Sequence, residues 1–105
     1  MLSFIELRPF TDRLPRRLCS EAYRLLQLHL IENPEAGAVM KRTGGWRKVR
    51  WAERGRGKSG GVRVIYFYRA ASGRVYLADI YAKNEKSTLT RAEEDALRRI
   101  TDRLD

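Results

Sequence analysis

Two runs of β-branched and aromatic residues constrain the fold of this chain more than any other feature. Residues 62–68 and 75–81 are both of this kind, and Ala71, Ser72 and Gly73 lie between them. Side chains of these types pack well on a pleated surface, and a short segment that contains glycine joins two strands tightly. The two runs therefore predict a β-hairpin in the second half of the chain.

Helical periodicity occurs at two places. Apolar side chains recur at helical spacing over residues 14–29, and Thr11 can cap this segment. We expect one amphipathic helix, or a helix pair broken near Pro15, because proline kinks or ends a helix. A further helix is predicted from Thr90, whose spacing to Glu93 is typical of a capping box.

Short apolar runs at residues 2–7 and 46–51 predict two more strands. The order strand, helix, strands, helix has no long βαβ crossover and favours the α+β class. A length of 105 residues suits one hydrophobic core. We predict a single domain, residues 1–105, in which a small antiparallel β-sheet is covered on one face by N-terminal helices and a C-terminal helix.

The formal charge of the chain is concentrated in residues 41–69. This block holds ten basic side chains and one acid, Glu53, so its surplus of nine equals the whole net charge of +9. Aromatic residues are interleaved with these cations: Trp46, Trp51, Tyr66, Phe67 and Tyr68. Clustered Lys and Arg release counterions from phosphates, and aromatic faces stack on bases. The block therefore predicts a surface that binds nucleic acid.

Several classes of protein and site are excluded by composition. No apolar run approaches the ~20 residues that cross a bilayer, and residues 1–10 do not have the pattern of a secretory signal. Cys19 is the only cysteine and His29 the only histidine, so neither a disulfide nor a Cys/His zinc site can form within the chain. We expect a cytoplasmic protein without a metal or other cofactor.

Arg63 is the most unusual residue of the predicted hairpin. Strand alternation places it on one face with Ile65 and Phe67. A charge among apolar neighbours is costly to bury unless it is paired. Arg63 therefore either lines a concave site or forms a structural salt bridge with Asp79 or Glu6, and we favour the site because perturbed charges cluster at functional positions.

Two polar segments beside the hairpin supply further candidates. In residues 53–61, glycines would let the backbone approach a phosphate chain closely, and the alternative is a solvated hairpin loop. The second segment offers a phenol, an amide, a carboxylate and two ammonium groups, from Tyr81, Lys83, Asn84, Glu85 and Lys86. Such a set suits gripping a phosphodiester and moving protons, although a polar turn before a helix cap has the same composition.

Three segments carry recognisable motifs. Residues 44–51 are GGWRKVRW, residues 57–68 are GKSGGVRVIYFY, and residues 75–86 are VYLADIYAKNEK, followed by Leu89-Thr90. These motifs resemble the RelE superfamily of type II toxins and are most similar to its HigB branch, whose members carry G-K-x-G-G-x-R-V-I-Y-Y and Y-A-K-N-E. The resemblance implies a RelE-like toxin fold.

The resemblance also implies a function. Such toxins are ribosome-dependent endoribonucleases that enter the ribosomal A site and cut translated mRNA, and each is neutralised by a cognate antitoxin, here one of the helix-turn-helix type. In these families the strand arginine contacts the scissile phosphate, which corresponds to Arg63. Flanking basic residues are available at Arg56, Lys58, Lys83 and Lys86. Better-known relatives have a catalytic tyrosine near the C-terminus, where this chain has the predicted helix 90–104, so the general base is left open.

Metal-independent RNA cleavage needs deprotonation of the 2′-hydroxyl, stabilisation of the phosphorane charge and protonation of the 5′-oxygen. Arg63 suits the second task, because a guanidinium stays charged and grips two phosphate oxygens. The base is a lysine whose pKa neighbouring cations lower, or else Glu85, and the acid is a second lysine or Tyr81. The catalytic candidates are Arg63, Lys83, Lys58, Asn84 as an orienting donor, and Glu85. The RNA-binding candidates are Arg50, Arg54, Arg56, Lys86, Trp51 and Tyr81.

The main alternative is a non-catalytic RNA- or DNA-binding module that uses the same basic surface. Such a binder would tolerate Arg63→Lys, whereas a bidentate clamp would not. The DNA-binding half of a toxin–antitoxin pair is less favoured, because no second apolar helix after a tight turn supplies a recognition helix. Trp46 and Trp51 either stack on bases or pack in the core.

Overall fold

The computed structural model describes residues 2–52, 61–86 and 88–104. The described elements, in chain order, are β1 (Ser3–Glu6), α1 (Arg8–Arg17), α2 (Ser20–Glu32), β2 (Ala38–Val39), β3 (Arg47–Trp51), β4 (Val62–Arg69), β5 (Arg74–Ala82) and α3 (Arg91–Arg103). This is the predicted α+β class. The predicted site residues Arg54, Arg56 and Lys58 lie outside the described residues.

The five strands form one sheet in the order β1-β5-β4-β3-β2. The predicted hairpin is confirmed: β4 and β5 pair antiparallel along their lengths, with a register shift between Ile65 and Tyr66. The expectation of a purely antiparallel sheet is wrong in one respect, because β1 joins the outer edge of β5 in parallel. The Ser3 N–H donates to the Gly73 carbonyl at 2.8 Å there. Local sequence patterns do not indicate this pairing, because β1 and β5 are far apart in the sequence.

Helices cover both faces of the sheet, so the expectation of one covered face is wrong. Leu26 and Leu30 of α2 pack with Val64 in a first buried cluster. Leu97 of α3 packs with Ile65 in a second cluster. Because side chains alternate along a strand, Val64 and Ile65 point to opposite faces. Both are buried, and a strand that is apolar on both sides needs a cover on each.

The N-terminal helical region consists of two helices, which confirms the prediction of a helix pair over that of a single helix. The break falls at Leu18 and Cys19, and Pro15 lies within α1. Thr11 does not cap a helix, because α1 begins earlier, at Arg8, and the Thr11 hydroxyl donates to Glu6 at 2.7 Å. No helix within the described ranges is long and apolar enough to cross a membrane.

The predicted capping box at the start of α3 is confirmed. The Glu93 N–H donates to Thr90 Oγ1 at 3.1 Å, and the Thr90 N–H donates to Glu93 Oε1 at 2.8 Å. Two backbone donors that the helix itself cannot satisfy are thereby paired. This fixes where α3 begins relative to the end of β5.

Tyr66 joins the sheet to the segment that follows α2. Its hydroxyl accepts from the Gly37 N–H at 2.9 Å and donates to the Pro34 carbonyl at 2.8 Å, in fully buried surroundings. Burial raises the pKa of Tyr66, so the phenol keeps its proton. A Cβ on Gly37 would lie 2.8 Å from the Lys48 carbonyl oxygen, so this close approach also requires glycine.

We expect Tyr66→Phe to lower the free energy of unfolding by about 1–3 kcal/mol, because it leaves the buried N–H of Gly37 and a partly buried carbonyl without their partner. Urea denaturation followed by circular dichroism measures the change. Tyr68→Phe is the matched control, since Tyr68 is only partly buried in the same strand. Equal stability of the Tyr66→Phe and parent proteins would contradict the assigned role of the hydroxyl.

Candidate nucleic-acid interface

Three side chains line up across the sheet at the end where residues 53–60 connect β3 to β4. In the antiparallel register, Arg63 lies opposite Arg50 on one side and opposite Tyr81 on the other. Directly opposed residues in such pairs share a face of the sheet. We call Arg50, Arg63 and Tyr81 the arginine row. It lies on the face that α3 covers further along, beside Ile65.

Arg63 is half-buried in β4, as predicted on one face with Ile65 and Phe67. Within the described part of the chain, neither carboxylate considered as its salt-bridge partner pairs with it. Asp79 Oδ1 lies 2.7 Å from Arg13 Nη1. Glu6 accepts hydrogen bonds from the hydroxyls of Thr11 on α1 and Tyr23 on α2. The guanidinium of Arg63 is therefore not neutralised by either acid.

Tyr81 lies beside Arg63 and is 2% exposed. Its hydroxyl has no hydrogen-bond partner among the described residues. Burial raises the pKa of Tyr81, while the nearby charge of Arg63 acts in the opposite direction. The Nζ of Lys86 lies 4.8 Å from the centroid of its ring. The phenol keeps its proton, and its ring is too covered to stack on a base in this arrangement.

Glu85 is held by internal hydrogen bonds in the turn after β5. The Ala82 N–H donates to Glu85 Oε1 at 2.6 Å, and the Nε of Arg17 donates to the same oxygen at 3.0 Å. A second nitrogen of Arg17 contacts the other carboxylate oxygen. These bonds, the backbone one foremost, lower the pKa of Glu85. A carboxylate so stabilised is a weak base, and its evident role is to tie the turn to α1.

This shift predicts a pH dependence of stability. Because the pKa of Glu85 is lowered in the folded chain, its contribution is present above the usual value of 4.5 and is lost as the pH falls through the folded value. We expect the Glu85→Gln variant to lose less unfolding free energy than the parent as the pH falls below about 4.5. Urea titrations at a series of pH values measure this loss. Asp102→Asn, which alters an exposed carboxylate on α3, should leave the profile unchanged, and an identical effect of both would contradict the assignment.

Lys86 is paired internally as well. Its Nζ lies 2.6 Å from Glu93 Oε2 and 3.8 Å from Asp79 Oδ2. Burial acts to raise the pKa of Glu93, but hydrogen bonds from Lys86 and the Thr90 backbone lower it overall. By contrast, Lys83 is exposed in the turn and makes no ion pair with a described residue. Asn84 beside it is also exposed.

The two tryptophans are core residues to different degrees. Trp46 is fully buried, and its indole N–H donates to the Leu97 carbonyl at 3.1 Å. Trp51 is half-buried and lies on the opposite face of the sheet from Arg63. Its indole N–H donates to the Ala22 carbonyl at 3.0 Å. The structure therefore does not bring Trp51 to the arginine row.

Lys48 is a candidate that the sequence analysis missed. It lies opposite Ile65 in the register of β3 with β4, on the same face as Arg50. The spacing of two residues between Lys48 and Arg50 within a strand was the signal that could have found it. With Arg63, these residues place three cations on one face of two neighbouring strands.

The fold and this surface define a class of protein: a small α+β domain whose sheet is covered on both faces. At one end the sheet presents arginines that pair with no carboxylate of the described residues. Within residues 2–52, 61–86 and 88–104, no cluster of His, Cys, Asp and Glu suits a metal ion.

A comparison with known families is more specific. Residues 23–105 match the family described as the RelE toxin of the RelE/RelB toxin–antitoxin system. The match spans most of the chain, which therefore belongs to the RelE toxin family. Toxins of this family are generally endoribonucleases, and membership implies an antitoxin as partner.

Proposed function

We propose that this chain is a HigB-type mRNA interferase, a ribosome-dependent endoribonuclease that cuts translated mRNA in the A site without a metal. The observation that supports this best is the adjacent pair Arg50 and Arg63, which present two guanidinium groups on one face with no carboxylate of the described residues bound to Arg63. The proposal places the protein in the cytoplasm, where ribosomes translate mRNA, and its cognate antitoxin is of the helix-turn-helix type.

Arg63 is the phosphate clamp of the proposed mechanism. As the 2′-oxygen attacks, negative charge develops on the non-bridging oxygens of the phosphorane. A guanidinium donates two parallel N–H bonds to such oxygens and stays charged throughout. Its stem is held between β3 and β5, so little reorganisation is needed when the charge forms.

The proton carriers follow from which groups are free to react. Lys83 makes no ion pair with a described residue, whereas Lys86 is neutralised by Glu93 and Asp79. The lowered pKa of Glu85 argues against the earlier alternative of that carboxylate as base. We therefore favour Lys83 as proton carrier, with Asn84 orienting the substrate, while Lys58 stays a candidate outside the described residues.

Tyr81 has the proton that the 5′-oxygen leaving group requires, because burial raises its pKa. Its hydroxyl has no protein partner among the described residues and lies next to Arg63. Delivery of that proton requires the substrate to reach a hydroxyl that is now covered.

The arginine row also makes RNA binding depend on salt. We expect Arg50→Ala to weaken binding of a short single-stranded RNA and to reduce the slope of log K against log salt by about 0.7, the value of one phosphate contact. Fluorescence anisotropy over a salt series measures both. Lys41→Ala is the control. Lys41 belongs to the same basic block but precedes the start of β3, whereas Arg50 lies near the end of that strand. Equal slopes for the two variants would contradict a specific contact by Arg50.

A non-catalytic RNA-binding module is the second candidate. The internal pairing of Glu85 and Lys86 favours it, because two of the five groups of the turn are then unavailable for proton transfer. Primer extension on mRNA with purified ribosomes separates the two candidates. Codon-phased cuts that appear with the parent and vanish with Arg63→Ala support the interferase, whereas RNA binding without any cut supports the module.

A further inference from the structure

The helix α2 is apolar on two opposite faces, which is unusual for a surface helix. Ala22, Leu26 and Leu30 are buried against the sheet. Leu28 lies between Leu26 and Leu30 in sequence, and two residues along a helix are roughly 200° apart. Its side chain therefore points away from the sheet, and it is 45% exposed. Because an apolar face of a helix is normally packed against something, two opposite apolar faces call for a cover on both sides.

Leu28 is the centre of an exposed stripe. Leu25 and Ile31, three residues before and after it, are 38% and 46% exposed. Residues at this spacing are neighbours on a helix surface. Single exposed apolar residues need no explanation, but a contiguous row of them marks an interaction surface. We call Leu25, Leu28 and Ile31 the α2 stripe.

The charges beside the α2 stripe favour one kind of occupant. Arg24 lies four residues before Leu28 and Glu32 four residues after it, and both side chains are exposed without an ion pair to a described residue. The ridge Arg24–Leu28–Glu32 thus runs from positive charge through an apolar centre to negative charge. Such a ridge is complementary to itself when a second copy runs in the opposite direction.

We propose that the α2 stripe is a self-association surface, on which a second copy of this chain packs across a two-fold axis at Leu28. Ridges of i, i+4 residues that interdigitate give the commonest helix–helix crossing in globular proteins. In that packing Arg24 of one copy lies beside Glu32 of the other, twice. An interface of this type is isologous and closes at two chains.

The charge distribution supports a second copy over a polyanion or an anionic membrane as occupant. The charged residues of α2 are Glu21, Arg24 and Glu32, so the helix has none of the surplus of +9 that the basic block carries. Copies with that net charge repel each other most through their basic faces. The arginine row lies at the end of the sheet, on the face opposite α2, and stays free for RNA in the dimer.

One helix covers less than the ~800 Å² per partner of a standard interface, so we expect a concentration-dependent dimer with a Kd on the order of 10 µM or weaker. Sedimentation equilibrium of the full chain, over a range of concentrations, measures it. Leu28→Glu and Arg24→Glu should each weaken the dimer at least ~10-fold, since the second of these places like charges side by side. The double variant Arg24→Glu/Glu32→Arg restores opposite charges and should return the Kd to within about threefold of the parent.

Circular dichroism of each variant checks that the exposed substitutions leave the fold intact. A parent chain that is monomeric up to about 0.5 mM would overturn the proposal. So would a dimer that neither single variant weakens, or one that the double variant does not restore. A monomeric parent whose complex with the cognate antitoxin is weakened by Leu28→Glu would assign the stripe to the antitoxin instead. None of these outcomes depends on whether the chain cleaves RNA.

Discussion

Replacing Arg63 with alanine is expected to slow the proposed ribosome-dependent mRNA cleavage by about 10²–10³-fold, the loss caused by removing one preorganised donor to a developing anionic charge. The physical reason is its position: the guanidinium is half-buried between Arg50 and Tyr81, on a strand paired on both sides. Single-turnover cleavage on purified, mRNA-programmed ribosomes measures the rate. Excess toxin keeps binding saturated, so the change reports on chemistry.

The matched variant is Arg63→Lys, which keeps the charge but loses the two-pronged geometry. We expect it to recover less than a tenth of the parental rate if two phosphate oxygens are gripped together. Thermal unfolding of both variants separates loss of activity from loss of fold. A rate for Arg63→Ala within about threefold of the parent would remove this residue from the proposed mechanism.

Replacing Trp46 with alanine is expected to lower the free energy of unfolding by about 3–5 kcal/mol, the range for truncating a large buried aromatic residue. Trp46 is fully buried against Phe67, with ring centroids 5.5 Å apart. Its N–H also reaches Thr101 Oγ1 at 2.6 Å, so the same side chain attaches α3 to the sheet. Urea denaturation followed by circular dichroism measures the loss.

Two further variants identify the source of this effect. Trp46→Phe keeps an aromatic ring but not the N–H, so we expect an intermediate loss. Trp51→Ala is the control for removing a tryptophan, and a smaller loss is expected because that ring is half-buried beside His29. If Trp51→Ala costs as much as Trp46→Ala, then Trp46 has no special role in holding α3.

Features set by neighbouring residues could be predicted from the sequence. The hairpin of β4 and β5 follows from β-branched and aromatic residues on both sides of a tight turn. The capping box at Thr90 needs only a spacing of three residues. The face that Arg63 shares with Ile65 and Phe67 follows from strand alternation, and it holds because the extra residue of the register shift lies in β5, at Ala78, and not in β4.

Features that join distant parts of the chain could not be predicted in this way. The sequence makes Glu85 a candidate base, but the partner that holds its carboxylate, Arg17, lies 68 residues away in the chain. Lys86 is neutralised by Asp79 and Glu93, which belong to two different elements. The sequence analysis also did not predict that helices pack on both faces of the sheet. A strand that is buried on both faces can have the same composition as one that is buried on a single face.

The parallel pairing of β1 with β5 also sets the order in which a nascent polypeptide can complete its structure. β1 is synthesised long before β5, yet the N–H of Ser3 in β1 and that of Leu7 directly after it donate to the carbonyls of Gly73 and Leu77. β1 cannot pair until β5 has been synthesised, and closing the long loop between the two strands carries an entropic cost. A translation product that stops before β5 would have neither the closed edge of the sheet nor Tyr81 beside Arg63, so premature termination leaves the arginine row incomplete.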